Sequence, residues 1–312
     1  MVIRLSLELI MTILLGVYVQ RKGIVGKGFD RQLTAFLIQV ALPLMIVDCM
    51  QVDFTMERLR QCGRLAALAL LMIAITMLLG QILYKLQGGG LRGRLWRFGV
   101  VFMNFTLIGI PITQTLYGEE GAFFFTMFIV PLRLLYYVTP RFLLAPSSVT
   151  EGRIGWRERA RACFSPPVAA VLVGLVLFLL QIRLPKVLLD VAHNVGGVCS
   201  PLGMVMCGLC IGKFELRKII RPNALVIAFI RNMGCPAIMF LLCGLLSVPP
   251  ELARIAVICA ALPVGVLIST FAVQYDGSDQ AKYESAGMVT VSSLLSCATI
   301  PLWAWLLETW YI

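Results

Sequence analysis

The sequence predicts an all-α polytopic membrane protein: ten transmembrane helices arranged as two inverted five-helix repeats. Three observations carry that expectation. The chain of 312 residues is 59% hydrophobic and only 14% charged, with a mean hydropathy of +0.89, against the ~25% charged of an average soluble domain. Two uncharged stretches, 98–118 and 255–275, are each interrupted by Gly and Pro at matching places in the two halves, the pattern that points to a transporter site. An odd number of spans per half makes the halves run in opposite directions, as in many secondary transporters.

Taken in order, the apolar runs fall at 5–20, 32–50, 65–84, 98–117, 121–140, 162–182, 188–212, 222–247, 252–274 and 285–307, each near the ~20 residues that cross a bilayer or slightly shorter. The first carries Glu8 and is followed, not preceded, by Arg21, Lys22 and Lys27, so no cleavable signal peptide is expected. The fourth reads NFTLIGIPITQTLYG from Asn104 to Gly118. Pro111 has no N–H for the carbonyl four residues back and its ring crowds that turn, and Gly109 loosens the backbone before it. The fifth carries Pro131 and Arg133 in VPLRLLYYVTP, and Pro131 is expected to break its helix. The ninth holds Pro263 and Gly265 in AALPVGVLISTFAVQY. Freed amides and carbonyls at that depth are tolerated only where protein or a wet cavity satisfies them. Each broken helix ends at a Tyr followed by Gly and acids, Tyr117-Gly-Glu-Glu and Tyr275-Asp-Gly-Ser-Asp.

Of the 27 Lys and Arg, 18 lie in loops after odd-numbered spans, 7 lie on the opposite side, and Arg133 and Arg231 fall within spans. The positive-inside rule then puts the odd loops in the cytoplasm and both termini outside, in the cell's plasma membrane. Arg58, Arg60 and Arg64 stand against that rule. The basic segment 141–161 is a cytoplasmic linker too short to be a domain.

Function classes are narrowed by what is missing. There is no Ser/His/Asp set at one depth, no HExxH and no phosphate loop, so no enzyme, cofactor or metal is expected. No basic face with interleaved aromatics invites a nucleic acid. Cys207-Gly-Leu-Cys210 has no second ligand pair, and the cysteines read as small apolar fillers. His193, the single histidine, reads as interfacial, and Asp48 as reaching the interface or an arginine. Neither broken helix holds an acid between its ends. What they offer instead are amides, hydroxyls and dipole ends, which suit an anion better than a cation. Asn104, Thr113, Gln114 and Ser269 are the candidate substrate contacts on these helices. Arg133 either holds a carboxylate through its planar fork, or snorkels or pairs with freed carbonyls near Pro111. Arg231, with Asn232 beside it and Pro236 after it, reads as a structural contact to the broken helix.

The stretch from Asn104 through Gly109-Ile-Pro111 to Tyr117-Gly118 resembles that of the auxin efflux carrier family, which includes PIN-type plant carriers and many bacterial ones. Ala260-Ala-Leu-Pro263-Val-Gly265-Val with Phe271-Ala-Val-Gln-Tyr275, Pro166-Pro-Val-Ala-Ala-Val-Leu-Val-Gly174 with Leu184-Pro185, and Arg231 through Pro236-Ala-Ile-Met are similar to it too. Gln114 departs from the plant pattern, which has Lys, and the long plant cytoplasmic loop is absent, so the bacterial type is implied. The resemblance implies that helices 4 and 9 cross, with Gly109, Pro111, Pro263 and Gly265 shaping the crossover and Asn104 contacting a substrate carboxylate. It further implies scaffold helices in 1–62 and 162–219, a mobile transport domain in 63–140 and 220–312 joined by the 141–161 linker, and elevator-like movement in a homodimer. The function it implies is a permease for small organic anions such as malate or malonate. A sodium-coupled symporter of the bile-acid type and a non-transporting sensor of the same fold are the alternatives.

Overall fold

The structure is a computed structural model, and residues 2–26, 28–144, 166–213 and 221–310 are described. Among them the chain is helical and builds no β-sheet. The helices are α1 (Val2–Arg21), α2 (Phe29–Cys49), α3 (Met56–Leu86), α4 (Leu91–Val101), α5 (Ile110–Val138), α6 (Pro140–Leu144), α7 (Pro166–Leu180), α8 (Lys186–Gly197), α9 (Cys199–Gly212), α10 (Pro222–Leu245), α11 (Pro250–Ala261), α12 (Leu267–Tyr275) and α13 (Asp279–Trp310). Five helical stretches are long and apolar enough to cross a membrane alone: α2, α3, α8 with α9, α10 and α13. Most of the expected linker, from 145 on, lies outside the described residues.

Three short π-helical turns share one cause. Leu37–Ala41, Phe105–Gly109 and Ile230–Gly234 each end two residues before a proline, Pro43, Pro111 and Pro236. A proline inside an α-helix lacks its donor and clashes with the carbonyl four residues back. Widening that turn accommodates the ring and leaves the carbonyl free for another donor. The carbonyl of Asn232, four residues before Pro236, accepts from Trp303 Nε1 at 3.0 Å.

This geometry corrects where the fourth span breaks. The helix does not stop at Gly109–Pro111, where the π turn absorbs the proline. It stops at Phe102–Asn104, where Phe102 is extended (φ −108°, ψ 117°) and Asn104 caps the next segment. The first half-helix also begins earlier than hydropathy suggests, at Leu91, and carries Arg92, Arg94 and Arg97. These charges are accommodated because they are engaged, Arg94 with Asp276 at 2.9 Å and Arg97 with the Leu143 carbonyl at 2.8 Å. Likewise α3 starts at Met56 rather than near 65, with Thr55 capping the Arg58 amide at 3.1 Å. Pro131 does not end its helix, and α5 runs through it to Val138. The fourth and fifth spans part instead at Gly118, whose φ of 68° no side chain adopts cheaply. Gly277 (φ 72°) makes the matching turn after Tyr275.

Polar contacts sort the loops into two faces. On one, Lys213 meets Asp30 at 2.6 Å, Arg94 meets Asp276 and the Leu144 carbonyl, and Arg92 meets Glu284 at 3.3 Å. On the other, Arg58 meets Glu120 at 3.2 Å, His193 meets Asp48 at 3.0 Å, Arg183 meets Asp53, and Gln61 meets Glu251. Odd-numbered loops contact odd, and even contact even. Of the arginines of 53–64, Arg58 is offset by Glu120 and Arg60 lies 3.9 Å from Glu57, so the two add less positive charge to their face than a count of Arg suggests.

Helices α1, α2, α7, α8 and α9 pack on one another, as do α3, α4, α5 and α10–α13. The first group is held at backbone distance. A Cβ on Gly208 would lie 2.0 Å from the Ile13 carbonyl, and one on Gly16 2.2 Å from that of Val205. Between the groups, Gly203 of α9 faces the Leu107 carbonyl, the one freed by Pro111, so closely that a Cβ would sit 2.4 Å from it.

Candidate functional site

The two breaks meet. The Asn104 amide donates to the Pro263 carbonyl at 2.8 Å and the Gly265 amide to the Phe102 carbonyl at 3.1 Å, an antiparallel bridge centred on Met103 and Val264. α4 approaches from the basic face over 11 residues and α11 from the opposite face over 12, about 16 and 18 Å of helix at 1.5 Å per residue. Together they are about as long as a hydrocarbon core of ~30 Å is thick.

Four helix ends converge there, and their fields are sorted. Arg231, fully buried on the π turn of α10, donates from Nη1 to the Val100 carbonyl at 3.1 Å and from Nη2 to the Cys259 carbonyl at 3.5 Å. These carbonyls end α4 and α11. A helix C-terminus is equivalent to roughly −0.5 charge, so two of them balance about one guanidinium. The expected contact to a broken helix is therefore a contact to both.

The remaining two ends are N-termini, and they face a cavity. It is lined by Asn104 to Leu107 at the start of the first returning segment and by Gly265 to Leu267 at the start of α12, with Arg133 and Tyr136 of α5, Thr34 and Ile38 of α2, and Pro167 of α7. Asn104 is 3% exposed; its Oδ1 caps the Leu107 amide at 3.3 Å, while its Nδ2 is buried with no hydrogen-bond partner. Arg133, also 3% exposed, stands over the Phe105 ring at 5.6 Å. Tyr136 packs on Phe98, Phe102, Phe105 and Phe271, aromatic rings flanking both breaks. Water-accessible space amounts to about 30 Å³, room for water and too little for an organic ligand unless the walls part.

Of the residues singled out from sequence, the structure brings Asn104, Arg133 and Gly265 to this cavity and Pro263 to the bridge beside it. Gly109 and Pro111 lie on and just after the π turn. Gly109 is a packing glycine, where a Cβ would come within 2.5 Å of Phe125 and 2.8 Å of Leu262. The structure does not bring Thr113, Gln114 or Ser269 to the cavity wall. Thr113 is buried against its own helix, donating to the Gly109 carbonyl at 2.7 Å, and Gln114 reaches outward to Glu119 at 2.7 Å. Tyr136 had a signal in the sequence, three residues after Arg133 on the same helical face. Thr34, Ile38 and Pro167 had none, because they come from other helices. Among the described residues no group of His, Cys, Asp or Glu is placed to hold a metal, and the described cysteines are free.

A family model described as membrane transport protein matches residues 1–155 and again 153–304, one copy on each half. No curated protein matches the chain.

Proposed function

Because the chain belongs to the membrane transport protein family, which contains the auxin efflux carriers, we propose that this multi-pass membrane transporter moves small organic anions by elevator-like alternating access. The observation that carries the anion reading is the cavity at the bridge. Two helix N-termini, each equivalent to roughly +0.5 charge, face it after Arg231 has offset the two C-termini. Asn104 Nδ2 supplies a buried donor awaiting an acceptor, and Arg133 supplies a guanidinium fork. No acid lines this cavity among the described residues, which disfavours a bound sodium ion. Small carboxylates such as malate or malonate have the matching chemistry.

The cavity also lies where movement would open it. Its walls come from both helix groups, α2 and α7 on one side and α5, α12 and the two breaks on the other. We take the first group as the scaffold expected in 1–62 and 162–219 and the second as the transport domain expected in 63–140 and 220–312, with α3 belonging whole, from Met56, to the second. Sliding the second group past Gly203, whose nearest neighbour is the Leu107 backbone, would carry the crossed breaks and a bound anion from one face toward the other. With the basic loops cytoplasmic and the cell interior negative, export of an anion gains ~2.3 kcal/mol per charge per 100 mV, so no coupling ion is required.

Substrate-induced current from reconstituted protein on a solid-supported membrane tests this. The expected result is an anion-signed current for small carboxylates without sodium and without a pH gradient. Current only after sodium is added would replace the proposal with a symporter. Binding without current in any condition would replace it with a sensor.

A further inference from the structure

A second cavity lies on the face opposite the basic loops, within the helix group that carries the bridge but apart from it. Its water-accessible volume is about 430 Å³, and it is lined by Gln61 of α3, Tyr117, Glu120, Gly121 and Phe124 of α5, and Glu251, Arg254 and Ile255 of α11. Arg254 stands seven residues before Ala261 on α11, about 10 Å along the helix, so the cavity does not merge with the central one.

Two donors on residues that line it are unused. The Tyr117 hydroxyl and Arg254 Nε are both buried with no hydrogen-bond partner, and both residues line the same space. Each leaves the desolvation of a polar group uncompensated. Of the two acids that line it, Glu120 is paired with Arg58 at 3.2 Å and Glu251 accepts a hydrogen bond from the Gln61 amide at 3.4 Å. Phe124 and Ile255 give the cavity apolar walls.

We infer that this cavity is a second ligand site, taking a monocarboxylate with a short apolar body. The carboxylate accepts from Tyr117 and Arg254, and the body lies against Phe124 and Ile255. One negative charge suits one guanidinium. A second charge on the ligand would meet Glu120 and Glu251, so the site selects against dianions of the same length. This site is independent of the anion reading of the central cavity and stands or falls separately.

The test uses the full chain in detergent with Asn104→Ala, which weakens binding at the central cavity by ~10-fold, and titrates hexanoate and adipate calorimetrically. Saturable hexanoate binding that persists in this background, with adipate at least several-fold weaker, is the expected result. Adding Arg254→Gln should weaken hexanoate by ~10-fold or more, the equivalent of one charge-assisted hydrogen bond. Adding Tyr117→Phe, which removes only the hydroxyl and keeps the ring, should weaken it by ~5-fold. Glu251→Gln should narrow the gap between hexanoate and adipate. Hexanoate binding that vanishes with Asn104→Ala alone would overturn the inference by assigning all binding to the central cavity. So would binding indifferent to both Tyr117→Phe and Arg254→Gln.

Discussion

The two breaks are alike in backbone and unlike in chemistry. Both interrupt a helix after about three turns, both extend for a few residues, and each donates one amide to the other. The first has its own polar side chain, Asn104, which caps the following segment and still holds a free donor. The second has Pro263 and Gly265, and its Val264 amide relies on Ser292 Oγ from α13 at 3.1 Å. Duplication of one fold thus leaves a pseudo-symmetric frame, within which one copy carries the recognition chemistry and the other supplies backbone. Arg231 is the shared part, since it holds the C-terminal carbonyls of both half-helices.

That shared part should yield the largest effect. Arg231→Met keeps the volume and removes the charge, leaving two converging C-termini uncompensated. Loss of ~3 kcal/mol or more is expected, from two charge-assisted hydrogen bonds at ~1.5–3 kcal/mol each. Detergent-solubilised protein should melt far earlier in a thermal-shift measurement. A wild-type melting temperature would mean that the breaks are held by their mutual bridge alone.

A smaller effect separates the two glycines. At Gly109 a Cβ would press on Phe125 at 2.5 Å and Leu262 at 2.8 Å, both fully buried, and overpacking of this kind costs ~1–3 kcal/mol. At Gly265 the nearest atom would be the Met103 carbonyl oxygen at 3.1 Å, a contact relieved by a few tenths of an ångström. Gly109→Ala should therefore lower the melting temperature clearly more than Gly265→Ala. The reverse order would show that the tight approach between the breaks runs through the second, not the first.

How much of this was legible in sequence follows from what each feature depends on. Pro263 announced the second break because a proline acts on its own helix, whatever surrounds it, whereas Pro111 marked the right span but not the break itself. The position of the first break was misread by several residues, since a π turn can absorb a proline and nothing in the local sequence says that it will. The beginnings of α3 and α4 were misread for a related reason: Arg58, Arg92 and Arg94 look like loop until their partners Glu120, Glu284 and Asp276 arrive from elsewhere. Asn104 and Arg133 were identifiable as polar groups at apolar depth. That Thr113 turns back on the Gly109 carbonyl while Thr34 faces the cavity depends on helix rotation, which tertiary packing sets.

Asn104 tests the chemical asymmetry. Asn104→Ala removes the free Nδ2 and the cap together. Anion affinity should fall ~10-fold, about 1.4 kcal/mol, while the lost cap lowers stability by only ~1 kcal/mol. Radiolabelled or calorimetric binding beside a melting curve separates the two, and unchanged affinity would remove Asn104 from the site.

Ser292→Ala is the counterpart on the second break and should have the smallest consequence. It removes the acceptor for the Val264 amide, a neutral hydrogen bond worth ~1 kcal/mol, and the Ser292 carbonyl still receives Asn232 Nδ2 at 2.8 Å because that contact is to the backbone. Ser292 does not line the cavity, so melting should shift slightly and anion affinity should hold. Equal losses of affinity in Ser292→Ala and Asn104→Ala would mean that the second break shapes the ligand site as directly as the first, and the division between a recognising copy and a supporting copy would fail.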